Sequence, residues 1–296
     1  MRYDEEGFVL AEDGTRLFYG VKGEGPAVVL LDGLGCDGFA WNYLQPALAK
    51  QYTVVHWHYR GHGRSGPPRD PALLDVPTLA RDLVHVLDGL KLSQVILMGH
   101  SIGTQVAFEF FRLARPRCRA LILICGTYGA VTKTFHGSQV LHLMLPRLRD
   151  VVDRHRSLAR AVWSRVPARL AYRAAGLSQE IDALAIRRED FRNYWESIAH
   201  MDPELFLNML RYAGEHSAED LLPRIDCPTL VVAAERDTFT PPELAYYVAE
   251  HIPGAQLQVL HGGSHAAPVE QPIALQRAIE AFLEQEVSDP APLVSV

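Results

Sequence analysis

A serine between glycines, GHSIG at residues 99–103, follows an apolar run and opens into an amphipathic stretch. A strand that turns directly into a helix strains the residue at its tip and makes the side chain project. Gly99 and Gly103 would let the two backbones pass closely. The helix N-terminus beneath Ser101 would offer unpaired N–H groups to a developing negative charge. The simpler alternative is a serine that only caps the helix. A hydroxyl is a weak nucleophile near neutral pH, so it needs a base, and the base needs an acid to orient it. Asp237, after TLVVAAER, and His265, after AQLQVLHGGS, complete the order serine, acid, histidine. Glu235, His261 and His100 are rivals. Glu235 and His261 still read as strand-like, and His100 is expected to point away from the serine. Such a set would attack a carbonyl carbon, with activity falling as pH drops through a base pKa of roughly 6 to 7.

Parallel strands would bring these distant residues together. Apolar, β-branched runs at 27–31, 53–57, 94–98 and 120–125 alternate with helical periodicity in VPTLARDLVHVLDGL and IGTQVAFEFFRLARP. Two short strands, 8–10 and 16–21, precede them around a turn at Asp13-Gly14. Alternation stops over 132–222, which reads as helical, and resumes with PTLVVAAERD, a helix over 242–251, AQLQVL and a helix over 270–286. The reading is an α/β fold with a mostly parallel central sheet flanked by helices and an inserted helical cap. Residues 1–131 and 223–286 would form the core, 132–222 the cap, and 287–296 a loose tail. Asp237 and His265 would then sit at the carboxyl edge of the sheet, where parallel sheets place ligands.

The pieces DGTRLFYGVKGEGPAVVLLDGLG, YRGHGRS, MGHSIGTQVA, AAERDTFTP and GGSHAAPVEQP together resemble the α/β-hydrolase family over nearly the whole chain. The resemblance implies Ser101 as nucleophile, His265 as general base and Asp237 as orienting acid. It also implies an oxyanion hole made by the backbone N–H groups of Leu34 and Ile102, where one donor can be worth ~3 kcal/mol of barrier.

Two positions depart from that family. Asp32-Gly33 stands where members usually carry His-Gly, and His58 stands where they usually carry an aspartate before Arg-Gly-His-Gly. The two changes look like an exchanged pair, so Asp32 is expected to be held by His58 and by loop N–H groups, steadying the loop of Gly33 and Leu34. An Asp32 aimed at the oxyanion would face a like charge, about 4 kcal/mol of repulsion at ~4 Å and an effective dielectric of 20. It is therefore expected to turn away. HWHYRGH also invites a metal reading, but His56, His58 and His62 have no further ligands nearby in sequence, and no metal or other cofactor is inferred.

At 296 residues the chain can bury a sizeable core, and its net charge of −6 argues against general nucleic-acid binding. No apolar run reaches a membrane-spanning length, and MRYDEEGFVL lacks the pattern of a secretory signal. Cys36, Cys118, Cys125 and Cys227 are scattered and read as free thiols in a reducing, cytoplasmic setting. The first half of the cap is rich in arginine and the second half in acidic residues. These runs are read as solvated or mutually paired faces rather than a lipid-facing lid. The expected partner is a small, largely apolar molecule; the oligomeric state is left open. A serine hydrolase of an ester, thioester or lactone is the first functional reading. The alternatives are C–C bond cleavage or perhydrolysis on the same residues, and a ligand receptor with little turnover.

Overall fold

A computed structural model describes residues 1–287. Its single sheet has eight strands in the order β1-β2-β4-β3-β5-β6-β7-β8. The antiparallel edge is β1 (Glu5–Leu10) and β2 (Arg16–Lys22), and β2 also runs antiparallel to β4. The remaining pairs are parallel. They join β3 (Ala27–Leu31), β4 (Thr53–Trp57), β5 (Val95–His100), β6 (Cys118–Ile124), β7 (Thr229–Ala234) and β8 (Gln256–Leu260). Between them lie α1 (Leu44–Leu48), α2 (Val76–Gly89) and α3 (Ile102–Ala114).

Helices on both sheet faces explain why the central strands are apolar throughout rather than alternating. Val29, Leu31, Leu97 and Leu123 pack with α2 and α3 on one face. Val28, Leu30, Met98 and Ile124 pack with α1 on the other. The helix α2 starts where the Asp75 carboxylate accepts the Thr78 N–H at 2.8 Å, an N-cap that satisfies one end-of-helix donor.

A helical segment separates the neighbouring strands β6 and β7. It holds α4 (Val131–Thr134), α5 (Val140–Arg154), α6 (Arg156–Trp163), α7 (Ala168–Leu177), α8 (Arg188–His200) and α9 (Pro203–Glu215). The chain then closes with α10 (Pro242–His251), α11 (Ala267–Glu270) and α12 (Pro272–Glu286). The helix expected over 270–286 is α12, which starts two residues later, after the short α11 and Gln271. Of the expected tail, Val287 is buried, and its carbonyl accepts from the Arg119 guanidinium at 2.6 Å. The rest of that tail lies outside the described residues. Cys118 and Cys227 are neighbours across β6 and β7, with their sulfurs 4.0 Å apart.

Candidate active site

Ser101 lies at the tip between β5 and α3, with φ 57° and ψ −122°. That backbone conformation is strained for any residue with a side chain. Two close approaches hold the turn. A Cβ on Gly99 would come within 2.5 Å of the Gly103 backbone, and a Cβ on Gly103 within 2.2 Å of the Leu31 carbonyl. The Ser101 N–H is donated to the Ile124 carbonyl at 3.1 Å. Its hydroxyl makes no capping bond to α3, so the simple helix-cap reading fails.

The hydroxyl instead lies 3.0 Å from His265 Nε2. On the other side of the ring, His265 Nδ1 lies 2.8 Å from Asp237 Oδ2. An ionised carboxylate only accepts, so Nδ1 carries the proton and Nε2 is free to accept from Ser101. The carboxylate of Asp237 is fully buried and saturated. Oδ1 accepts the N–H groups of Phe239 (2.8 Å) and Thr240 (2.9 Å), and Oδ2 also accepts the Thr240 hydroxyl at 2.8 Å. The Phe239 ring stacks on His265 with 5.0 Å between centroids.

The rivals are engaged elsewhere. Glu235 accepts the Gly262 N–H at 2.8 Å, and the largely exposed His261 lies 3.7 Å from it. His100 is buried and donates from Nε2 to the His265 carbonyl at 3.0 Å. Burial pushes its imidazole down to about 4. Its ring nevertheless stands 5.0 Å from that of His265 and lines the same cavity, closer to the site than the sequence suggests.

Asp32 is buried and turned away from Ser101, but its partner is His56, not His58. His56 Nε2 lies 2.8 Å from Asp32 Oδ2, and the Trp41 indole N–H donates to Oδ1 at 2.8 Å. The Tyr3 hydroxyl reaches the far side of the imidazole, 2.6 Å from His56 Nδ1. The ladder between β3 and β4 ends with Leu30 opposite His56. Beyond it the chains diverge, and His58 leans toward β2. Its N–H is donated to the Phe18 carbonyl, its ring lies 4.7 Å from that of Phe18, and its Nδ1 accepts the Arg64 N–H at 2.8 Å. Burial, reinforced by His56 and His62, drives its pKa down to about 2.

The loop after β3 is fastened from several sides. The Tyr59 hydroxyl donates to the Asp32 carbonyl at 2.9 Å. The Gly35 N–H is donated to His62 Nε2 at 3.2 Å, and His62 Nδ1 donates to the Arg60 carbonyl at 3.2 Å. Burial holds His62 at about 4, in the neutral form that can both accept and donate. A Cβ on Gly33 would sit 3.3 Å from the Ser101 Cβ, so this loop lies directly against the serine. Among the described residues, neither the Leu34 nor the Ile102 N–H has an acceptor within the chain. The sequence reading missed Trp41, Tyr3, His56 and His62 as supports. Only Trp41 gave a signal, since a buried indole needs an acceptor.

The cavity above Ser101 measures about 190 Å³ and has a mostly apolar lining. Gly33, Leu34, His100 and His265 form its floor, while Phe135, Leu141, Ile181, Phe191, Tyr194 and Phe206 come from the helical segment. A second space of about 30 Å³ adjoins the serine on the side of Gln105 and Thr127. A larger groove of about 620 Å³ lies behind the loop, against Tyr3, Asp37 and His58, and no member of the Ser101 set lines it.

The segment also touches the loops that carry Asp237 and His265. The Glu270 carboxylate accepts the Ser264 N–H (3.1 Å), the Ser264 hydroxyl (2.7 Å) and the Asp182 N–H (2.6 Å). Asp182 in turn accepts from Arg236 at 2.8 Å.

A family model described as the alpha/beta hydrolase fold matches residues 26–272. The chain belongs to the α/β-hydrolase family. A stretch of 268 residues is 31% identical to polyketide synthase ThaQ of Burkholderia thailandensis; it covers 89% of this chain but only 12% of that synthase. A proposed carbamate hydrolase, RutD of Stutzerimonas stutzeri, is 27% identical over 249 residues, covering 83% of this chain and 87% of RutD. The esterase of Thermogutta terrifontis, solved with malate bound, superposes with a TM-score of 0.75 at 25% identity, covering 95% of this chain and 98% of that one. The enol-lactonase of Burkholderia xenovorans shares the fold with a TM-score of 0.75 at 24% identity, covering 94% and 100% respectively.

Proposed function

We propose that this α/β-hydrolase cleaves a carboxylic ester, thioester or lactone of a compact, largely apolar molecule through an acyl-enzyme. The observation that carries the reading is the unbroken line of hydrogen bonds from the Ser101 hydroxyl through His265 to Asp237. Ser101 Oγ attacks the carbonyl carbon while its proton passes to His265 Nε2. Asp237, with its lone pairs already satisfied by fixed donors, stabilises the resulting imidazolium without taking the proton. The free N–H groups of Leu34 and Ile102 meet the oxyanion. The imidazolium then protonates the leaving alcohol or thiol. Water, deprotonated by the same nitrogen, attacks the acyl carbon and restores Ser101.

Asp32 supports this chemistry from outside, with its charge spent on Trp41 and His56 while the loop of Gly33 and Leu34 rests on it. The helical residues over the serine act as a cap. A cavity of about 190 Å³ falls below the ≈ 300–1,000 Å³ common for drug-sized ligands, which favours small acyl or aryl groups.

A fluorophosphonate probe should label the wild type, and Ser101→Ala should abolish both labelling and ester turnover, with kcat lowered at least about 10⁴-fold. Hydrolysis across a series of acyl esters should fall once the acyl group outgrows the cavity. Turnover retained by Ser101→Ala would refute the reading. Labelling without turnover on any ester would move it to C–C cleavage, perhydrolysis or a receptor.

A further inference from the structure

The arginine-rich stretch does not fold away. In α5, Leu145 and Val152 face inward against Leu207 and Leu210. The adjoining side, centred about 120° round the helix, carries Val140, Leu143, Met144, Leu148 and Val151, all exposed. At about 100° per residue these five span an arc of roughly 140°, and Arg147 and Arg154 fall inside it. The helix is therefore apolar on two faces, and only one of them is covered. The pattern continues: Leu158 and Val162 are exposed one turn apart on α6, and Leu170 and Leu177 are exposed on α7.

Charge follows the same stretch. Residues 140–177 contain eight arginines, no lysine and two aspartates, a net +6 in a chain of −6, so the remainder carries −12. Two of the eight are neutralised locally: Arg156 pairs with Glu204 at 3.0 Å, and Arg160 pairs with Asp202. Among the described residues, Arg147, Arg149, Arg154, Arg165, Arg169 and Arg173 have no ion-pair partner.

We infer that this face of the cap docks on an anionic lipid surface. Aliphatic side chains would enter the headgroup boundary while the arginines snorkel to the phosphates. The acidic remainder of the molecule would be repelled and would orient the face toward the bilayer. A second copy is a poor occupant, because a two-fold contact would press the unpaired arginines of one copy against those of the other. A protein partner is disfavoured by the absence of exposed aromatic anchors, since Leu and Val are under-represented at protein hot spots. Leu141, one residue from the exposed stripe, lines the cavity over Ser101, so the docked face would bring the cavity rim close to the lipid.

Sedimentation with vesicles tests this without depending on catalysis. The full-length protein should partition onto phosphatidylcholine vesicles containing phosphatidylglycerol and not onto phosphatidylcholine alone. Binding should vanish when salt shortens the Debye length to about 3 Å. Each basic residue near an anionic surface is worth about five-fold in partitioning, so Arg147→Glu with Arg154→Glu should weaken binding at least about 25-fold. Leu143→Ser with Leu148→Ser should weaken it about ten-fold or more while leaving hydrolysis of a water-soluble ester unchanged. Equal partitioning onto both vesicle types, or none onto either, overturns the proposal. So does a dimer in light scattering that Leu148→Glu dissolves, which would assign the face to a second copy. If either double variant misfolds, the comparison of lipids and salt on the wild type still decides.

Discussion

Replacing Asp32 by alanine would strand two buried donors, the Trp41 indole and the His56 ring. Unpaired buried groups cost about 1–3 kcal/mol each, so Asp32→Ala should destabilise the fold by about 2–6 kcal/mol in denaturant titration. A double-mutant cycle separates the possible partners. Asp32 with His56 should show a coupling of about 1–3 kcal/mol, whereas Asp32 with His58 should be additive within about 0.5. The reverse result would restore the exchanged pair that the sequence suggests. That pair was half legible. An acid at the end of β3 and a histidine near the end of β4 are visible in the residues, as is the need to turn the carboxylate away from the oxyanion. The choice between His56 and His58 is not visible, because it depends on where the ladder stops and on Tyr3 and Trp41, which arrive from other elements. Ser101, Asp237 and His265 could be read because each lies within a short loop past the carboxyl end of a strand.

At the scale of elements, the helical segment between β6 and β7 is tied to the loops of the candidate site at Asp182. Glu270 at the end of α11 ties the backbone of Asp182 to Ser264, next to His265, and Asp182 holds Arg236, next to Asp237. Glu270 is thus a positioning residue that acts through the loops on either side. Glu270→Gln should lower kcat about ten-fold with little change in KM, since misplacement of reacting groups weakens the transition state more than ground-state binding. Glu270→Asp should restore less than half of that loss if reach, and not charge, is what matters. An unchanged kcat in Glu270→Gln would reduce the clamp to packing. The central strands were legible to within two or three residues because both of their faces are covered and the runs are continuous. The clamp was not, since nothing in the spacing of 182, 236, 264 and 270 signals a contact.

For the molecule as a whole, buried histidines set the acid limit. Burial lowers His58 to about 2 and His62 and His100 to about 4, below the unfolded value of about 6.5. Between those limits the unfolded chain binds protons that the folded chain refuses. Stability therefore rises with pH from about 4 to 6.5 and is lost as pH falls through that window. Each histidine contributes up to about 1.4 kcal/mol per pH unit, so the three together approach about 4 near pH 5. His62→Gln should cut that slope by about a third in urea unfolding measured across the window. An unaltered slope would mean that His62 protonates in place.

The near-contact of Gly103 with the Leu31 carbonyl, and of Gly33 with Ser101, has a practical corollary for anyone borrowing this chemistry. At Gly103 the space is too narrow for a methyl group, and at Gly33 a methyl group would crowd His100 and Ser101. A scaffold that receives Ser101, Asp237 and His265 alone would inherit the hydroxyl without the glycine loop packed against it. The smallest transferable unit is the pair of adjacent strands with both bends intact, and a combinatorial library that varies Gly103 would force the backbone of the turn apart.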